Sequence, residues 1–142
     1  MKPIIYSTYL IPVFGDFKSV VNVLCGAIKK DINSFDSIAC CGMSGAMVAP
    51  TIAMMLDKNL ALVRKENDKR HSHHNVEGKE GVKNYIIIDD GIDEGGTMDF
   101  IIARMRWRYP ASFPYKIYLY NQNDICDSFH KNNYKKVPVV FV

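Results

Sequence analysis

The 142-residue chain has no strong bias of any kind: no internal repeat, no Pro/Gly/Ser-rich linker, and a single tryptophan. Those absences exclude a collagen-like fibre, a disordered tail and a low-complexity spacer. An excess of one charge is also missing. Eighteen Lys and Arg stand against 15 Asp and Glu, a net charge of only +3. A dedicated nucleic-acid partner is therefore not expected, and any anion must be held by a local site rather than by the whole-molecule field. No Cys-x-x-Cys pair occurs among the four cysteines, and Cys40 and Cys41 are adjacent inside an apolar run. They read as reduced thiols packed as small hydrophobes, which predicts a cytoplasmic protein. A secretory leader is not expected: Pro3, Pro12 and Tyr6-Ser7-Thr8-Tyr9 interrupt the uncharged N-terminal stretch, and no small-residue cleavage site follows. The twenty residues from Ser37 to Leu56 carry no charge, but Gly42, Ser44, Gly45, Pro50 and Thr51 lie among them. That run predicts a buried strand, turn and helix, and no membrane partner.

What is present is ordinary. At 48% hydrophobic and 23% charged, residues 1–142 read as one globular domain, large enough to bury a core without disulfides or a structural metal. Ile4 to Leu10 reads as a strand. Asp16 to Asp31 reads as an amphipathic helix, with Phe17, Val20, Val21, Leu24, Ala27 and Ile28 at helical spacing. Ser37 to Cys41 is a short apolar strand, followed by a Gly-Met-Ser-Gly turn and a helix that Pro50 should kink or delay. Leu60 to Val63 is the next strand, and Arg64 to Lys83 reads as a long polar loop. Tyr85 to Ile88 is apolar throughout, as a strand covered on both faces would be. A helix capped by Thr97 should run to about Tyr109, with Phe100, Ile101, Ile102 and Met105 inward. Strands at Lys116–Tyr120 and Val137–Val142 complete the pattern. The fold class expected is α/β, a parallel sheet flanked by helices, with ligands bound beyond the carboxyl ends of the strands.

The segment richest in chemistry is Tyr85-Ile-Ile-Ile-Asp-Asp-Gly-Ile-Asp-Glu-Gly-Gly-Thr97. A buried strand delivers Asp89 and Asp90 to its carboxyl end, and a glycine-containing loop then opens a helix. Free backbone N–H groups at a helix start suit phosphate. The two carboxylates cannot hold that phosphate, so their partners are sugar hydroxyls or a hard cation. Acceptors for ribose beside donors for phosphate make a ribose-phosphate cradle. A P-loop is excluded because no Lys precedes Thr97, and an EF-hand because Glu94 stands where glycine is required.

This segment resembles the signature of the type I phosphoribosyltransferase family: an apolar strand, two acids, a short variable stretch, then Thr-Gly-Gly-Thr or a close variant. Two more segments are similar to the family in the expected order. Cys41-Gly42-Met43-Ser44-Gly45 looks like its pyrophosphate loop. Val63-Arg64-Lys65-Glu66, with Lys69 and His71, looks like the strand end and flexible basic loop of its orotate and adenine branches. The resemblance covers roughly residues 37 to 120 and implies a Rossmann-like domain with a minimal hood over the acceptor. It implies transfer of ribose 5-phosphate from phosphoribosyl pyrophosphate to a nitrogen base, with release of pyrophosphate and use of magnesium.

Residue by residue, the resemblance assigns the ribose 5-phosphate loop to Gly91, Ile92, Asp93, Glu94, Gly95, Gly96 and Thr97. It assigns pyrophosphate to Gly42, Met43, Ser44, Gly45, Arg64, Lys65 and Lys69. Asp89 and Asp90 are expected to hold the ribose hydroxyls, directly or through magnesium. Asp93 matches the proton acceptor of the 6-oxopurine branches, and Lys69 and His71 belong to a lid formed by Glu66 to Lys83. By analogy the family suggests a homodimer, although the sequence itself leaves the oligomeric state open.

Several residues depart from the family pattern. Glu94 replaces a threonine whose hydroxyl helps bind the phosphate. A carboxylate about 4 Å from a phosphate charge costs about 4 kcal/mol per charge pair at an effective dielectric near 20. Either Glu94 points outward or the loop does not hold a normal donor. In the second case the protein would be a non-catalytic sensor of phosphoribosyl pyrophosphate or a nucleotide. Gly91 replaces a more usual apolar residue. His71, His73 and His74 lack a further ligand at metal spacing and read as part of the solvated loop. Tyr118, Tyr120, Phe113 and Phe129 are the stacking candidates for the base, which no pattern identifies.

Overall fold

The computed structural model describes residues 16–65, 74–92, 96–120 and 133–142. Helix α1, Phe17–Ile28, begins where Asp16 accepts a hydrogen bond from the Ser19 N–H at 3.3 Å, and a 3-10 turn, Lys29–Asp31, extends it. Val21, Leu24, Cys25 and Ile28 form its buried stripe. Phe17, read at helical spacing with them, is instead exposed at the first position of α1.

Strand β1, Ser37–Cys41, and helix α2, Gly42–Leu56, account for the long charge-free run. The expected four-residue turn between them is absent: the helix starts directly at Gly42. One residue makes the turn, since Gly42 has φ +75°, a left-handed conformation that favours glycine. The helix also runs through Pro50, which lies on the exposed side, where the missing N–H costs one helical bond. Among the described residues no helix is long and apolar enough to cross a membrane.

Strand β2, Asn59–Val63, pairs parallel to β1, and β3, Val76–Gly78, returns antiparallel along β2. The stretch read as one polar loop is thus anchored in its second half. Val76 and Val82, its rare apolar residues, are both buried. Strand β4, Asn84–Asp89, lies on the other side of β1, followed by helix α3, Gly96–Arg108, and strand β5, Phe113–Leu119. Thr97, expected as a cap, is already inside α3. Strand β7, Val137–Phe141, joins β5 in parallel. Its hairpin partner β6, Asn133–Tyr134, was not expected, because the turn places Lys135 (φ 44°) and Lys136 (φ 73°) where glycine or asparagine would signal it.

The sheet order is β3-β2-β1-β4-β5-β7-β6, parallel except for the two outer strands. Helices α1 and α2 cover Ile38, Cys40, Ile86, Ile88 and Tyr118 on one face. Helix α3 covers Ala39, Ile87, Ile117 and Leu119 on the other. Each isoleucine so enclosed contributes about 1.5–3 kcal/mol, and β4, with three in a row, forms the centre of the core. After β1 the chain leads to β2 and β3 on one side, and β4 and the later strands add on the other. The carboxyl ends of β1 and β4 therefore flank a crevice where consecutive connections diverge, the position at which open α/β sheets bind ligands.

Candidate active site

Strand β4 carries its apolar run up to that crevice and ends there on acids. Asp89 is 4% exposed and Asp90 5%. Burial raises the Asp89 carboxyl above the ordinary carboxylate range. The Ser44 hydroxyl, the Asp90 N–H and the Lys65 charge work against that rise. Oδ1 of Asp89 accepts from Ser44 Oγ at 2.8 Å and from the Asp90 N–H at 2.9 Å. The hydroxyl comes from the first turn of α2, so the crevice is bridged from the β1 side to the β4 side by one hydrogen bond.

Helix α2 can reach so close only because position 45 has no side chain. A Cβ on Gly45 would lie 2.8 Å from Cys40 Cβ and 3.0 Å from the Ile88 carbonyl oxygen. At the start of α2, Cys41 makes no side-chain capping bond. The orphan donors of a helix start fall on Gly42, Met43 and Ser44, whereas the Gly45 N–H enters the helical ladder. Lys65 stretches across this end, and a Cβ on Gly42 would meet its Cε at 3.3 Å.

A cavity of about 370 Å³ opens beside these groups, lined by Cys41, Lys65, Gly96, Thr97 and Phe100. It faces a lysine on one side and the N-terminus of the thirteen-residue helix α3 on the other. Both favour an anion. Residues assigned by sequence to two different anionic groups, Lys65 to pyrophosphate and Gly96 and Thr97 to the sugar phosphate, thus line one cavity. Gly91 is half-buried and Ile92 is packed in the core under α3, which tethers the near end of the loop. Met43 is exposed. Arg64 is held by Glu77 at 3.2 Å, along the edge formed by β2 and β3. Asp93, Glu94, Gly95, Lys69 and His71 lie outside the described residues.

Of the stacking candidates among the described residues, only Tyr120 stands at the crevice. Tyr118 is buried beneath α1 with its hydroxyl 2.6 Å from Asp31 Oδ2, and Phe113 sits at the opposite end of the sheet, where it pairs with Asn84. Phe129 lies outside the described residues. Tyr120 follows β5 directly, and its hydroxyl donates to the Ser44 carbonyl oxygen at 2.6 Å. Burial first, then the charges of Asp90 and Asp89, raise the Tyr120 phenol far above its ordinary value, so it stays a donor. The Ser44 hydroxyl's use and Tyr120's contact with α2 were not legible in the sequence, since both depend on how closely α2 meets the strand ends. A second cavity, about 230 Å³, has Tyr120 as one wall, with Asp16, Ser19, Val20, Val23 and Val142 around it.

The magnesium expectation can be tested on the donor set. Among the described residues no cluster of three or more His, Cys, Asp or Glu forms a metal cage. Asp89 and Asp90 still offer hard oxygen ligands at the carboxyl end of β4. That suits magnesium, which binds through one or two carboxylates and completes its shell with water and substrate phosphates.

Comparison with known proteins gives a consistent answer. Residues 17–121 match the family described as the phosphoribosyl transferase domain. No curated protein sequence matches the chain. Among solved structures, orotate phosphoribosyltransferase from Aeropyrum pernix superposes with a TM-score of 0.69 at 16% identity, over 89% of this chain and 70% of that one. Adenine phosphoribosyltransferase from Thermoanaerobacter pseudethanolicus gives 0.67 at 18% identity, over 92% and 83%. The Trypanosoma brucei adenine enzyme, in complex with AMP, pyrophosphate and ribose-5-phosphate, gives 0.61 at 18% identity, over 88% and 62%. At these identities the likeness is one of fold.

Proposed function

The chain belongs to the phosphoribosyl transferase domain family, whose members are pentosyltransferases, and we propose that it uses the β1/β4 crevice to move ribose 5-phosphate from phosphoribosyl pyrophosphate to a nitrogen base. The observation that carries this reading is the pair of buried carboxylates at the end of β4, set beside a cavity with a lysine and a helix start on its walls.

In the reaction a ring nitrogen of the base forms a bond to the anomeric carbon, while the bond from that carbon to the diphosphate oxygen breaks and its electron pair leaves with pyrophosphate. The proton that nitrogen carried passes to a general base, the role the family resemblance gives Asp93. The sugar ring becomes positive and the leaving group gains negative charge. Asp89 and Asp90 hold the ribose hydroxyls, and their charge tolerates the cationic ring. Lys65 and the uncapped N–H groups of Gly42, Met43 and Ser44 receive the leaving pyrophosphate, preorganised donors aimed at charge that develops during the reaction. Gly96 and Thr97, at the start of α3, hold the 5-phosphate. Asp89 and Asp90 would hold magnesium, which when bound would supply charge neutralisation for the diphosphate. Tyr120, with Val20, Val23 and Val142, offers the acceptor a largely apolar wall in the smaller cavity.

The test is pyrophosphate release from phosphoribosyl pyrophosphate with magnesium and a panel of purine and pyrimidine bases. Release that depends on one base supports transfer. Saturable donor binding without turnover on any base would make the crevice a sensor, the role that Glu94 suggests.

A further inference from the structure

Four hydrogen bonds link three residues and a neighbouring amide into a closed circuit around Asp89. Ser44 Oγ donates to Asp89 Oδ1 at 2.8 Å, and the Asp90 N–H donates to the same oxygen at 2.9 Å. The Tyr120 hydroxyl donates to the Ser44 carbonyl oxygen at 2.6 Å. The Tyr120 N–H donates to the Asp89 carbonyl oxygen at 3.2 Å. The ends of β4 and β5 and the first turn of α2 are thereby tied at one point, and every donor in the ring is supplied by the protein. Among the described residues Oδ2 of Asp89 takes no hydrogen bond. A carboxylate free to rotate would present either oxygen to a ligand. With Oδ1 held by two donors, Oδ2 is the oxygen available to one.

We propose that Ser44 and Tyr120 are positioning residues for ribose recognition: Ser44 fixes the rotation of the Asp89 carboxylate, and Tyr120 fixes Ser44. The proposal rests on the reading of the crevice as a ribose-phosphate site, but it assigns work to groups that reading does not use. The Ser44 hydroxyl is committed to Asp89, not to pyrophosphate, and the Tyr120 hydroxyl is committed to the backbone of α2, not to the base. Because the ring sets one carboxylate, its loss should weaken binding of the sugar far more than that of pyrophosphate, which meets only the backbone N–H of residue 44. A general loosening of the fold would weaken both.

The experiment is calorimetric titration of Ser44→Ala, Ser44→Thr and Tyr120→Phe with ribose 5-phosphate and, separately, with inorganic pyrophosphate. Losing a hydrogen bond to a charged group predicts a roughly tenfold weaker affinity of Ser44→Ala for ribose 5-phosphate. Ser44→Thr, which keeps a hydroxyl, should stay within about twofold of the parent, and Tyr120→Phe should lose roughly threefold. Pyrophosphate affinity should fall by less than about twofold in each, because every variant keeps Lys65 and the backbone N–H of residue 44. Ribose 5-phosphate affinity unchanged in Ser44→Ala, or falling together with pyrophosphate affinity, overturns the proposal. If the parent protein binds no ribose 5-phosphate, the functional reading fails separately. Crystal structures of the unliganded parent and Ser44→Ala then decide the positioning role: a carboxylate of Asp89 turned away from the Asp90 N–H supports it, and an unmoved one overturns it.

Discussion

Alanine at two glycines should change stability in opposite directions. Gly26 and Gly45 both lie within helices, and in each case alanine gains helix propensity worth about 0.5–1 kcal/mol. A Cβ at Gly26 meets nothing within 4 Å, so Gly26→Ala should keep that gain. At Gly45 the same Cβ arrives 2.8 Å from Cys40 Cβ and 3.0 Å from the Ile88 carbonyl oxygen. Both belong to central strands that cannot swing aside as a flexible side chain would. Overpacking costs about 1–3 kcal/mol, and two contacts this short put Gly45 in the upper part of that range, about 2–3 kcal/mol, which leaves a net loss of about 1–2.5 kcal/mol after the propensity gain. For a domain of this size that is a fall of roughly 3–8 °C in Tm. Pushing α2 off the strands also draws Ser44 from Asp89, so ribose 5-phosphate binding should weaken as well. Urea unfolding at constant pH measures both variants. A Gly45→Ala protein as stable as the parent would refute the close approach of α2 to β1 and β4 on which the crevice is built.

Asp31 accepts from Lys116 and Tyr118 at 2.6 Å and from Tyr115 at 3.2 Å. Burial pushes its carboxyl up, but these donors outweigh it and hold the group below its ordinary value. The unfolded chain therefore binds this proton more tightly. The stabilisation is complete above the ordinary carboxylate range and is lost as the pH falls through the lowered value. Asp31→Asn should cost about 1–3 kcal/mol at neutral pH, with the gap to the parent closing in acid, as read by urea unfolding at both pH values. Asp89 has the opposite sign. Burial raises its carboxyl, so its charged form opposes folding at neutral pH and the parent recovers relative stability as the pH falls towards the raised value. Asp89→Asn should therefore be at least as stable as the parent near pH 7 while losing ribose 5-phosphate binding, and a variant that unfolds more easily would contradict this. Lys65→Met should weaken pyrophosphate binding by roughly three- to tenfold, and titration in added salt should shrink that difference. Val20→Trp should fill the smaller cavity and raise KM for the base without changing donor affinity; an unchanged KM would place the acceptor elsewhere.

The parts of the fold legible in sequence were those set by local pattern. Three isoleucines bounded by charge announced β4 as a central strand, and the acids after them marked its exit into the crevice. Asp16 marked the start of α1. The parts not legible depend on contacts between distant segments. Val76 has too few apolar neighbours to announce β3, which exists because β2 offers it an edge. The β6–β7 hairpin turns on two lysines with positive φ, a conformation their chemistry does not advertise. In the site, Lys65, Gly96 and Thr97 were expected as anion ligands, Lys65 on the family resemblance, but their sharing of one cavity was not foreseen. The Ser44 hydroxyl gave no signal, because its partner lies 45 residues away. Tyr118 on β5 and Tyr120, two positions later, looked equivalent as stacking candidates. One is enclosed beneath α1, and the other stands just past the strand end at the crevice.

The most direct measurement is a crystal structure of the protein with ribose 5-phosphate and magnesium. The sugar's 2- and 3-hydroxyls should lie about 3 Å from carboxylate oxygens of Asp89 and Asp90, with the phosphate at the Gly96–Thr97 helix start. A sugar phosphate bound away from the β4 acids, or a crevice closed by the protein's own side chains at saturating ligand, would contradict the assignment.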